Sequence, residues 1–449
     1  MKLEGRSLKN DFFRFIIPSL IAQWVYALYT MIDGLFVARG VSELALSGVN
    51  IAMPFVTLLF SVALMFAVGS STIIAILLGQ KEDDKANEVF TQNILTVILV
   101  SALITILVLW KSEAIALFLG ATERTLEYVR TYITTIACFS VFFICSYSLE
   151  VLIKTDGYPM TATMIVTAGA VLNCILDYLF VMVFHKGIWG AAFATGLSQL
   201  IVVLLYLTHF GSKRTHMKLV RFTPSLPLAW RTVKIGLSSG ITEFSAGIVI
   251  FLFNYTILAY LDEVFIVSYT IVTYVSTIIV MSMAGIAQGI QPLVSYYYGK
   301  GIPDKYHRLL KYALTFGAVF SVAAFVISRG IAVPLVGLFI SPGMQELRQA
   351  SVNIFYTFSY SFLLCGFNVI IGGFFTAVEY PKSAMAISLG RGFLFVALSL
   401  LLLTALFGGN GIWWAATLAE GLCLLLTGTL FLHYWKMRRM SINEEKQVR

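Results

Sequence analysis

The chain has 449 residues, of which 59% are hydrophobic and only 12% charged. A soluble fold of this length needs more polar surface, so the composition excludes one and defines an integral membrane protein with little room for a soluble domain. The net charge of +8 sits at the ends of the apolar runs and follows no nucleic-acid-binding pattern, so no nucleic-acid partner is expected.

With a window of about 19 residues, apolar spans fall at 12–37, 44–78, 88–110, 126–152, 159–184, 188–210, 232–260, 265–298, 306–328, 347–376, 383–407 and 411–435. Short polar breaks such as GQKEDDKAN (79–87) and GKGIPDKYH (299–307) close them. Continuous apolar runs predict helices rather than a barrel, and runs beyond ~20 residues predict tilt, kinks or projection from the bilayer. The first run is too long for the core of a removable signal and lacks a small-residue cleavage site, so it is read as the first span.

Basic residues cluster before the first span (Lys2, Arg6, Lys9, Arg14), in the 211–234 loop (Lys213, Arg214, Lys218, Arg221, Arg231, Lys234) and in the tail (Lys436, Arg438, Arg439, Lys446, Arg449). The alternate breaks carry few: Arg39, Lys186, the acidic Asp262 and Glu263, and an uncharged 408–411 stretch. Twelve crossings of a cell's cytoplasmic membrane with both termini inside satisfy this asymmetry. Cys138, Cys145, Cys174, Cys365 and Cys423 lie in apolar segments without metal-ligand spacing and are read as packing thiols.

The two halves follow one plan. DGYP (156–159) returns as VEYP (378–381) at a displacement of 222, GIWGAA (187–192) as GIWWAA (411–416) at 224, and Gly79-Gln80 as Gly299-Lys300 at 220. Six spans per repeat is even, so the repeats are parallel and related by an axis along the membrane normal. This predicts an N-terminal lobe at 1–211, a basic cytoplasmic linker at 212–231 and a C-terminal lobe at 232–449 with a short tail. Two such lobes can act as a monomer. The architecture suits alternating access, although some channels also carry internal repeats.

In the first span, Pro18 removes a backbone hydrogen bond and permits a kink, either a hinge or a static bend. Asp33 lies about 31 Å along that helix from Phe12. Asp177 lies about 27 Å into the outward-running fifth span, Asn173 sits one turn before it, and Thr195 is about 11 Å from the outer end of the sixth. These four residues therefore share a depth. Two acids, an amide and a hydroxyl offer oxygens to Na⁺, and two carboxylates in a dry pocket are equally suited to hold a proton. A helix-end position near water, or structural bonds across helices, are the plainer accounts of these residues.

Displacement by the repeat puts Phe395, Ser399 and Ala419 where the first half has Asn173, Asp177 and Thr195, so the polar cluster belongs to one lobe. The second half has Glu243, Arg391 and Glu420 in its spans, the last two expected to pair structurally. Glu150 and Lys154, spaced i, i+4, are read as a local pair without a transport role. Tyr26 and Tyr29 share a helical face with Asp33 and can receive a flat organic cation by cation–π attraction, although such stripes more often pack. Gln288 and Gln291 are weaker polar candidates for the same contact. His185, His209, His216, His307 and His433 all fall at loops or span ends, which argues against a membrane-embedded enzyme and against a tightly bound cofactor. No filter-like motif or charged ring suggests a passive channel.

Several stretches carry a family resemblance: the first span with Pro18 and Asp33, LALSGVNIAMPF (44–55) with GSSTIIAILLGQ (69–80), the run from TDGYP to GIWGAAFATGLSQ (155–199), and GIAQGIQPLVSYYYGKG (285–301). In order and spacing they resemble the multidrug and toxic compound extrusion (MATE) transporters, in particular the bacterial branch of DinF-like and MepA-like pumps. The resemblance implies an outward-facing V of two six-helix lobes, and antiport that exports cationic or amphipathic compounds against inward H⁺ or Na⁺. It also implies cation binding at Asp33, Asn173, Asp177 and Thr195, and a bend at Pro18. Tyr178 departs from the pattern, since relatives commonly have Pro after the Asp, which questions the local bend of the fifth span. The acid pair that another branch places on the seventh and tenth helices is not evident. A lipid-linked precursor flippase of the same superfamily is the alternative, and Arg391 is its only candidate cavity arginine.

Overall fold

The computed structural model describes residues 7–212 and 215–447. Lys2, Arg6, Lys213, Arg214 and Arg449 of the expected basic clusters lie outside the described residues, as do the side chains of Arg439 and Lys446. The described chain is all-α. Its α-helices are α1 (Leu8–Gly40), α2 (Glu43–Gln80), α3 (Asp83–Phe118), α4 (Leu126–Cys138), α5 (Ser140–Asp156), α6 (Pro159–Asp177), α7 (Gly187–Phe210), α8 (Leu226–Tyr260), α9 (Phe265–Gly299), α10 (Pro303–Phe339), α11 (Gln345–Phe358), α12 (Phe362–Ala377), α13 (Pro381–Leu389), α14 (Phe395–Phe407) and α15 (Ile412–Gln447).

Ten described segments are long and apolar enough to cross a membrane, and the pair α4 and α5, bent by 54° at Phe139, makes an eleventh. One of the ten, Pro381–Arg438, turns back on itself through the 3₁₀ segment Gly408–Gly411, so that α14 packs beside α15. It therefore holds two arms, and the described chain has twelve spans. Two helices overrun their sequence-based ends most: α10 runs beyond the expected end at 328 to Phe339, and α15 beyond 435 to Gln447.

Capping chemistry sets several starts. Ser7 and Ser42 accept hydrogen bonds from the backbone N–H of Asn10 and Ala45, and Pro159 and Pro381 open α6 and α13, where a missing N–H costs nothing. The repeat is visible in the turns. Gly157 (φ 101°) before Pro159 has its counterpart in Glu379 (φ 56°) before Pro381, and Lys81 (φ 65°) after α2 has its counterpart in Gly301 (φ 68°) after α9. Both turns need a left-handed residue, and each half meets one of them without glycine.

The chain forms two compact units. One takes Met1–Phe244, Gln288–Leu309 and Ala377–Glu379, and the other takes the remainder. The first therefore includes residues 232–244 of α8 and the adjoining ends of α9 and α10, which a C-terminal lobe beginning at 232 would hold. Its core contains Phe12, Phe15, Leu59, Ile73 and Tyr206, and that of the second contains Phe253, Phe355, Phe374, Phe375 and Tyr434.

Within the first unit the segment after α7 is strapped down. His209 and His216 meet the buried carboxylate of Asp156 at 3.1 and 3.0 Å, and the backbone N–H of His216 donates to it at 3.1 Å. Side chains on one face of α3 then take the backbone of the strap: Asn87 accepts from Lys218 N, Thr91 from Val220 N, and Gln92 from Ser225 N. Helix α8 begins at Leu226, so the last residues of the expected 212–231 linker are helical. Of the five cysteines, Cys138 at the α4–α5 break is exposed rather than packed.

Candidate functional site

Helix α1 brings Asp33 to α6 about two turns before its end. Pro18 is contained within the continuous helix α1, and its carbonyl accepts a hydrogen bond from Thr163 of α6 at 2.8 Å. Helix α6 ends at Asp177, where the π-helical segment Tyr178–Val183 takes over. The chain thus leaves α geometry after Asp177 with Tyr178, not proline, at the next position.

The four residues of the predicted cluster converge. Asp33, Asn173, Asp177 and Thr195 are all buried, and the carboxyl groups of Asp33 and Asp177 are immediate neighbours. Asn173 Nδ2 donates to Thr195 Oγ1 at 3.4 Å, and Thr195 Oγ1 donates to Ala191 O at 3.1 Å. Asp33 Oδ1, Asn173 Oδ1 and both carboxylate oxygens of Asp177 are left buried with no hydrogen-bond donor among the described residues. Buried acceptors are nearly always satisfied. An acceptor-only cluster of hard oxygens lacks a proton or a cation. Among the described residues no three His, Cys, Asp or Glu side chains converge on a metal-binding point, so this set is two acids completed by an amide and a hydroxyl.

Beside the cluster lies a small recess lined by Tyr26, Tyr29, Asn173, Ser198, Gln199 and Val202 among others. Asn173 is thus common to both. Tyr29 and the buried Tyr132 of α4 lie close enough to interact electrostatically with both acids. Sequence reasoning missed Tyr132 and Gln199, because a single tyrosine or glutamine on a spanning helix gives no signal until the neighbouring helices are placed. Gln199 accepts from Ser146 at 2.6 Å, which fixes its amide at the recess.

The remaining candidates divide. Tyr26 lines the recess but donates its hydroxyl to Glu150 Oε2 at 2.7 Å, and Glu150 is in turn paired with Lys154, both nearly fully buried. That pair is therefore part of the wall behind the recess. Gln288 accepts from Gln23 Nε2 at 3.0 Å, and Gln291 donates to Thr72 Oγ1 at 2.8 Å and Val68 O at 3.2 Å. Gln291 is thus engaged in α9–α2 packing and does not line the recess beside the cluster. Glu243 lies near Tyr147. In the second unit, Arg391 donates to Glu420 at 2.8 Å, Asn368 donates to the other Glu420 oxygen at 2.8 Å, and Thr427 donates to Asn368 at 3.0 Å. Arg391 lies in the π-helical segment Gly390–Leu394.

A twelve-span fold with an internal repeat and a polar cluster inside one half defines a membrane transporter of the two-repeat kind. The family model described as MatE matches residues 18–179 and again residues 241–401, once in each half, and the chain belongs to the MATE family of transporters. It is 23% identical to the Multidrug export protein MepA of Staphylococcus aureus strain MSSA476 over 436 residues, covering 97% of this chain and 95% of that one. It is 22% identical to the protein of the same name from Staphylococcus saprophyticus, over 98% of this chain and 97% of that one. Its fold is similar to an outward-facing MATE transporter of the MOP superfamily (TM-score 0.90, 20% identity, 98% and 97% coverage). It is also similar to a MATE structure in the bent conformation (TM-score 0.88, 20% identity, 99% and 98% coverage).

Proposed function

We infer that this chain is a multidrug efflux antiporter of the cytoplasmic membrane, exporting cationic or amphipathic small molecules in exchange for H⁺ or Na⁺ by alternating access. The observation that carries the reading is the set of donorless buried oxygens on Asp33, Asn173 and Asp177 beside a recess that shares Asn173. The asymmetry of basic residues between alternate breaks supports cytoplasmic termini, and the full-length relatives named as multidrug export proteins support the cargo class. With both lobes in one chain, a monomer suffices.

In this account Asp33 and Asp177 take up the cation, with Asn173 and Thr195 completing its oxygen shell. Tyr29 and Tyr26 offer aromatic faces to the cargo. Neutralising the acids removes the negative charge that attracts a cationic drug, so cation and cargo bind in competition. An inward cation gradient then drives export, because each ligand shifts the transporter only by its differential affinity for the two states. The two-lobe division at the central linker and a bend of α1 at Pro18 belong to the same proposal. The flippase alternative is less well served, since Arg391, its candidate for an anionic headgroup, is already neutralised by Glu420.

Competition makes the reading testable by equilibrium binding. Ethidium binding to the purified protein should weaken on lowering pH or on adding Na⁺, according to the coupling ion, and Asp33→Asn should abolish that dependence. Ethidium binding that responds identically to both cations in wild type and Asp33→Asn would sink the assignment.

A further inference from the structure

Arg329 is a half-buried cation of α10 in the second unit. It follows an uncharged stretch, 312–328 of α10, and stands eighteen residues after Lys311. Eighteen residues of helix rise about 27 Å, close to the ~30 Å of bilayer hydrocarbon. With Lys311 at one membrane interface, Arg329 falls at the other. Val322, Val326, Ile327 and Val333 around it on α10 are largely exposed, which on a spanning helix is a lipid-facing surface.

The guanidinium is held by aromatic rings rather than by an acid. Its central carbon lies 5.0 Å from the ring centroid of Phe325, 4.8 Å from Tyr356 and 5.2 Å from Tyr360. Trp414 stacks on Tyr360 with centroids 5.7 Å apart. Cation–π contact fixes the plane of the guanidinium while consuming none of its hydrogen bonds. Of its five N–H donors, the only one that meets an acceptor among the described residues reaches Tyr356 O, at 3.5 Å. No carboxylate among the described residues lies within ion-pairing distance, whereas Arg231 and Arg391 each have a glutamate. About two turns further along α10, Arg348 of α11 packs against Gly337 and adds positive charge on the water side.

We propose that Arg329, framed by Phe325, Tyr356 and Tyr360, binds the phosphodiester of a phospholipid in the adjoining leaflet, with the acyl chains along the exposed face of α10. A pre-oriented guanidinium matches two phosphate oxygens at once, and the charge then need not be left bare at the edge of hydrocarbon. The site is remote in sequence from the cation cluster and stands whether or not the chain is an antiporter.

The test is native mass spectrometry of the full chain purified with phosphatidylglycerol. Wild type should retain one more phosphatidylglycerol than R329Q at matched lipid concentration, corresponding to about tenfold weaker binding for loss of a charged hydrogen-bond donor. R329K, which keeps the charge and loses the fork, should also retain less than wild type, and it decides the matter should R329Q fail to fold. Inorganic phosphate should not displace the lipid; displacement would mean a free-anion site and overturn the lipid assignment. Equal retention by wild type and the folded variants would overturn it as well.

Discussion

Two carboxylates placed side by side in a buried site with no donor facing them are a cost to the fold, and the cost marks the site. An Asp177→Asn change replaces one charge with an amide able to donate to Asp33. Leaving a buried polar group unsatisfied costs about 1–3 kcal/mol, so this variant should melt at or above the wild-type temperature in Na⁺-free buffer at alkaline pH, while losing coupled transport. A clear drop in melting temperature would mean that both carboxylates stabilise the fold. The Arg391–Glu420 pair predicts the opposite behaviour. Arg391→Gln or Glu420→Gln alone leaves an uncompensated buried charge and should destabilise by about 3–5 kcal/mol, with the double substitution costing less than either. Thermal unfolding of the three variants in detergent checks this, and equal mild effects would show the pair to be solvated. At this scale the sequence revealed which polar residues stood inside spans, but not what each amide or hydroxyl faced. Gln291 and Tyr26 could be assigned partners only once α2 and α5 were in place.

At the scale of elements, the repeated Gly79 and Gly299 show what the recurrence preserves. A side chain at Gly79 would run into the backbone of Tyr296, and one at Gly299 into the backbone of Ile76, so the two glycines permit the same close crossing of α2 and α9 from opposite sides. Gln291, bonded to Val68 O and Thr72, lies on that same interface. Gly299→Leu should therefore force the helices apart, costing about 1–3 kcal/mol or more as overpacking, read as a lower melting temperature. A neutral Gly299→Leu would contradict the crossing. The turn after α2 tests the repeat from the other side. Lys81 holds the left-handed conformation that Gly301 adopts at the equivalent place, and a non-glycine residue there costs roughly 1–2 kcal/mol. Lys81→Gly should raise the melting temperature slightly, and a fall would show that the lysine side chain contributes more than its backbone strain costs.

For the whole molecule, hydropathy and charge made the helical spans legible because a spanning helix must be apolar along its length. The internal repeat was legible because the same turns recur, and the two separate family matches at 18–179 and 241–401 follow that division. What was not legible came from packing. The bend between α4 and α5, the extension of α10 and the early start of α8 depend on neighbouring helices rather than on local hydropathy. The strap of residues 215–225 on α3 was equally hidden, because Asn87, Thr91 and Gln92 read its backbone and leave no side-chain pattern in the strap itself. The convergence of Asp33 with Asp177 was anticipated from helix depth alone, a measure that gives level but not facing. The oxygens left without donors became evident only in three dimensions.

The most direct test of the central claim is ethidium efflux from proteoliposomes under an imposed pH gradient and, separately, an imposed Na⁺ gradient, with wild type beside Asp33→Asn and Asp177→Asn. The account predicts efflux driven by at least one gradient in wild type and by neither in the two folded variants. Gradient-driven efflux at the wild-type rate in both variants would contradict the account, showing that the cation acts elsewhere than at the paired acids of α1 and α6.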